Sequence, residues 1–197
     1  RYRQAVNRAH VQVHSGPDSP VEYNAFDPAL QLWVAACLYV GFRDARNLFL
    51  GPMDHRTDSA LYEYCHRLGT SLQVPRDAWP PDLEAFETYW QTEVAKIRYD
   101  DVVRDHLMKV VELRMVPRWM QWGNASVNRF FTTGMLPPEF RSAMRLEWGP
   151  QQQRRFDRYV GLLRFLTRLT PKWARNLPIK LQLAEVRLRM RRNWTLV

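Results

Sequence analysis

The chain has 197 residues, 46% of them hydrophobic and 13% aromatic, with a formal charge of +9. That length and apolar content support one substantial core and exclude a disordered chain. Two cysteines, Cys37 and Cys65, exclude a disulfide framework and fit a reducing compartment.

In chain order, the periodic segments read as helices. The first is expected from the start of the chain to about His14, with Val6, His10 and Val13 on one side. Arg1 opens inside this pattern with no initiator Met or apolar leader, so an upstream segment is expected. Ser15-Gly16-Pro17-Asp18-Ser19-Pro20 is a turn-rich loop. Asp27 then reads as an N-cap and Pro28 as the first residue of a helix to about Leu50. This helix is apolar on nearly every side, which predicts a central, buried element. Its longest apolar run, Leu30 to Phe42 interrupted by Gln31, is too short to cross a bilayer, which needs about 20 residues.

A third helix is expected from a cap at Thr57 or Asp58 to Gly69, carrying Leu61, Cys65 and Leu68. Trp79-Pro80-Pro81 opens a fourth with Leu83, Phe86, Tyr89, Trp90 and Val94, and a fifth runs from about Asp101 toward Pro117. A sixth spans Asn124 to Thr133, ended by Gly134. A short helix follows Pro137-Pro138, a long one follows Gly149-Pro150, and a final one starts at Pro178. Leu72-Gln73-Val74 is too short to found a sheet, and repeats are absent. The fold class is all-α: a single globular domain, 1–197, of about eight to nine helices of varied length around a central buried helix.

Residues 1–137 hold 15 basic and 16 acidic side chains, and residues 138–197 hold 14 basic and 4 acidic, so the charge excess lies in the C-terminal third. A solvated face explains this most simply. The final helix pairs an apolar stripe with Lys180, Arg187, Arg189, Arg191 and Arg192. It is expected to dock on the domain, a peripheral contact with an anionic membrane being the alternative. No nucleic-acid partner is expected, because exposed aromatics are not interleaved with the cations.

The sequence has no GxGxxG, P-loop, GxSxG, HExxH or CxxC pair, which argues against nucleotide, hydrolase and zinc chemistry. Cys37 lies mid-helix in an apolar run, where a thiol stays protonated. His10 and His14, four apart on a helix, would share a face as a metal pair does, with Glu22 or Asp27 as a third ligand. His106 beside Asp101 and Asp105 reads as a charged helix start.

The run Phe26-Asp27-Pro28-Ala29-Leu30-Gln31-Leu32-Trp33-Val34 resembles the "NDPxLLxWVHATL" signature of the MpaB-type oxygenases, the superfamily of the bacterial rubber oxygenases. His10 to Gly16 resembles the family's "HxxVxG" segment, and Leu68-Gly69, Val74-Pro75 and Trp79-Pro80 its "LG…VP…WP" region. Leu136-Pro137-Pro138 with Gln152 to Arg158 resembles "LLPP…QQRRFDR", and Leu177-Pro178 to Arg192 the closing "LP…MRRR" helix.

The resemblance implies an oxidoreductase that binds haem b and uses oxygen on an apolar, isoprenoid-like substrate. It places Ala35 where the family has its iron-ligand histidine, and a methyl group donates no electron pair. Three outcomes stay open: ligation by His10 or His14, haem without a protein axial ligand, or loss of haem. By matching position the cofactor-binding residues are His10, His14, Arg3, Trp33 and Ala35, with Arg3 paired to a propionate. No catalytic residue is assigned. The alternative is a haem-less helical protein that binds an apolar ligand. A cytoplasmic location, free or peripheral to a membrane, is expected.

Overall fold

The computed structural model describes residues 2–19 and 21–192. The described residues form α-helices, one 3-10 turn at Arg76–Ala78 and a single isolated bridge between His14 and Asn24, with no β-strand. The helices are α1 (Tyr2–His10), α2 (Pro28–Leu50), α3 (His55–Cys65), α4 (Arg67–Thr70), α5 (Leu83–Lys96), α6 (Asp101–Val111), α7 (Arg118–Gln121), α8 (Asn124–Met135), α9 (Pro138–Ala143), α10 (Pro150–Leu169), α11 (Lys172–Arg175) and α12 (Leu177–Arg191). The all-α expectation is met, and the helices beyond the expected nine are the single turns α4, α7 and α11. None is long and apolar enough, among the described residues, to cross a membrane.

The chain divides into two compact units, residues 1–95 with 166–197, and residues 96–165. The core of the first is built on α2. The Asp27 carboxylate accepts from the Ala29 N–H at 2.7 Å and Pro28 fills the first turn, so the start of α2 is fixed by local chemistry. Leu32, Ala35, Ala36 and Tyr39 of α2 pack with Tyr62 and Cys65 of α3, then Val74, Trp79 and Phe86. Tyr39 and Phe86 are the largest fully buried side chains, with ring centroids 4.9 Å apart in an edge-to-face arrangement.

In the second unit Phe156 of α10 is buried among Phe130 and Phe131 of α8 and Trp148. Gly134 was expected to end the sixth helix, but α8 continues through it to Met135. A Cβ there would fall inside the contact distance of the Phe156 ring, so the glycine serves close packing and not termination. Leu136 and Pro137, both extended, stop the helix instead.

Three further expectations change. The predicted third helix breaks at His66 into α3 and α4, and its cap is Asp54, whose carboxylate takes both the N–H and the hydroxyl of Thr57. α1 stops at His10 and not near His14, because Val13 and Ser15 leave the helix to pair with Ala25 and Tyr23. The α12 stripe packs only in part: Ile179 and Leu183 stay exposed, whereas Val186 and Met190 are half-buried.

Candidate functional site

α2 has two unlike sides. Positions 32, 35, 36 and 39 face the core, whereas Val34, Leu38 and Phe42, spaced by one turn each, are 56%, 45% and 53% exposed. The helix is therefore buried along one face and not all round. Gly41 lies on the open side with nothing within 4 Å of the place a Cβ would occupy. The open side is an apolar stripe of the kind monomeric proteins keep covered or use for binding.

Ala35, where the resemblance places the iron ligand, is on the other side. It is 2% exposed inside the aromatic cluster of Tyr39, Tyr62, Trp79 and Phe86. A methyl group there supplies no electron pair and the surroundings are filled, so this position does not fit a haem iron. Trp33 stacks on Trp90, with ring centroids 5.1 Å apart and planes 22° from parallel. Arg3 is exposed on α1.

The two histidines are not brought together on one helical face, since α1 ends between them. His14 is exposed, and its Nδ1 lies 3.1 Å from the Ser15 carbonyl oxygen. The His10 ring meets Phe26 edge-on at 6.2 Å, and its Nδ1 is buried without a hydrogen-bond partner. Asp27 is engaged as the α2 cap and Glu22 is exposed. Among the described residues no group of three His, Cys, Asp or Glu side chains could hold a metal ion.

Two tyrosines and a cysteine on and beside α2 are set against ionisation. Burial pushes the Tyr39 phenol up to about 12, helped by the Asp58 carboxylate that its hydroxyl faces at 3.4 Å. Tyr89 rises to about 12 from burial and the charge of Glu93. Desolvation raises the Cys37 thiol to about 11, so it is a protonated, unreactive group at neutral pH. The arrangement offers apolar surface, tyrosine hydroxyls and a protonated thiol.

Gln31 was read only as an interruption in an apolar run, yet it ties the unit together. It is 6% exposed, donates to the Ala25 carbonyl at 2.8 Å and accepts from the Gln73 N–H at 2.9 Å. The Gln73 amide donates in turn to Asn7 on α1. A polar residue on the buried side of an amphipathic register was the available signal. Gln31→Leu is expected to orphan the Gln73 N–H and the Ala25 carbonyl and to cost about 1–3 kcal/mol. Urea unfolding should show a lower midpoint with an unchanged slope, and an unchanged midpoint would refute the bridge.

Residues 1–165 match the family described as ER-bound oxygenase mpaB/B'/Rubber oxygenase, catalytic domain. Two relatives are "Uncharacterized protein Mb2261" of Mycobacterium bovis and "Uncharacterized protein Rv2237" of Mycobacterium tuberculosis. Each is 46% identical over 189 residues, covering 96% of this chain and 74% of the relative. No solved structure matches the chain. The chain belongs to the MpaB/rubber oxygenase catalytic-domain family, an oxygenase-type oxidoreductase family.

Proposed function

We propose that this chain binds an apolar ligand on the open side of α2 and holds no haem through that helix. The observation that carries the reading is the division of α2 into an open apolar stripe, Val34, Leu38 and Phe42, and a closed side where Ala35 lacks a donor. A ligand lying on the stripe would remove three large apolar side chains from water, each contributing about 1–2 kcal/mol before the costs of association. The two free cysteines support a reducing compartment.

A second reading has its own support. The His10 Nδ1 is buried and unpartnered, as an imidazole awaiting a ligand would be. In that reading His10 binds the iron of haem b and the chain is an active oxygenase on an isoprenoid-like substrate.

Titration with haemin, followed by absorption and iron content, separates the two. The first reading expects no stoichiometric iron and a broad, non-saturating band. It also expects native mass spectrometry to show one farnesol per chain, lost in Leu38→Asp. A sharp Soret band at one iron per chain that disappears in His10→Ala would replace it with the second.

A further inference from the structure

The open stripe of α2 does not end at Phe42. Ala45 and Phe49 continue the same register, eleven and fifteen residues beyond Val34. At 1.5 Å per residue the stripe is about 22 Å long, the scale of one extended hydrocarbon chain. Its far end opens into a groove of about 650 Å³ with Ala45, Phe49 and Leu50 on one side and the α11 turn on the other. That volume lies within the range of small-molecule sites.

The groove's polar groups are one-sided in charge. Arg46, Lys172 and Arg175 line it, and among the described residues no carboxylate does. The Arg46 guanidinium is committed, donating to the Gly51 carbonyl oxygen beyond the end of α2 and to Asn47. Lys172 and Arg175, three apart on α11 and so neighbours on its surface, make no side-chain hydrogen bond or ion pair with a described residue. Two cations without a counter-charge among the described residues, beside an apolar wall, complement a molecule with an anionic head and a hydrocarbon tail.

We infer that this groove binds a single-chain anionic amphiphile, its carboxylate or phosphate held by Lys172 and Arg175 and its chain on the α2 stripe. The inference rests on the apolar-ligand reading above and adds the charge and orientation of the ligand.

The test compares palmitate with hexadecanol, its uncharged twin of equal length, by native mass spectrometry and calorimetry on the whole chain. Expected are one palmitate per chain and at least about tenfold tighter binding than the alcohol, the scale of one charge-assisted contact. Lys172→Gln with Arg175→Gln should bring palmitate down to the alcohol's affinity with the helical circular dichroism unchanged, and Phe49→Ser should weaken both ligands. Equal affinity for the two would leave the apolar-ligand reading standing and overturn this inference. Binding of neither would remove both. Binding only to phosphatidylglycerol vesicles, with no monomeric palmitate bound, would also overturn it and assign the cations to a membrane surface.

Discussion

Phe86→Ala is expected to produce the largest loss of stability of any single truncation in the chain. Phe86 is 1% exposed, and its ring lies 4.9 Å from Tyr39, 5.5 Å from Tyr62 and 5.8 Å from Trp79, centroid to centroid. Removing it deletes the shared partner of five rings, these three with Tyr89 and Trp90, and leaves a cavity among them. Such truncations cost about 3–5 kcal/mol, and the lost edge-to-face contacts place this one toward the upper end. At roughly 2–4 °C per kcal/mol for a chain of this size, the thermal midpoint should fall by about 10 °C or more. Phe86→Leu, which keeps most of the volume, should fall by less than half as much. A drop within a few degrees for Phe86→Ala would show that the cluster is not the core of this unit.

That cluster was half legible in the sequence. Leu83, Phe86 and Trp90 announce themselves by spacing, and the Asp27-Pro28 start of α2 follows from capping chemistry that needs no tertiary contact. What periodicity cannot report is which side of an evenly apolar helix has a partner. Ala35 and Val34 are adjacent and equally apolar, yet one is 2% and the other 56% exposed. Only the placement of Tyr62, Trp79 and Phe86 separates them. The end of α1 was missed for a related reason. The pattern through Val13 is helical, but the Ala25 N–H donates to the Val13 carbonyl and draws that stretch into an extended pairing twelve residues away. Long-range hydrogen bonding overrode a local register, and the supposed His10–His14 face went with it.

The groove beside α11 was invisible for a third reason. Lys172 and Arg175 were counted within a basic C-terminal third whose simplest explanation was solvation. Most of those cations are indeed exposed, and Arg189 pairs with Glu185 on its own helix. Four-residue α11 carries too little periodicity to be read as an element, so nothing in the sequence sets its two cations against Phe49 and Leu50. The charge asymmetry is visible in the sequence, but which of its cations lie beside apolar side chains can be read only in three dimensions.

Placing at position 35 the histidine that the resemblance implies should fail to create a haem site. Ala35→His is expected to destabilise the first unit without creating a haem protein. The imidazole would enter a packed aromatic cluster, where added volume costs about 1–3 kcal/mol. Its ring nitrogens would have no assured partner, a further penalty of about 1–3 kcal/mol. Ala35→Leu carries similar bulk without the nitrogens, so the difference between the two melting points isolates the polar part. Both variants should melt well below the parent, with Ala35→His the lower. On haemin addition Ala35→His should show the parent's broad absorption and no stoichiometric iron. The opposite result, a sharp Soret band at one iron per chain with thermal stability kept, would mean that the closed side of α2 can open to a flat cofactor. Ala35 would then be a single-residue loss in an otherwise competent haem scaffold, and the His10 reading would lose its reason to exist. A lowered melting point with no band would instead tie the missing ligand to the packing: the side of α2 that faces iron in the resemblance is here the side that holds the core together.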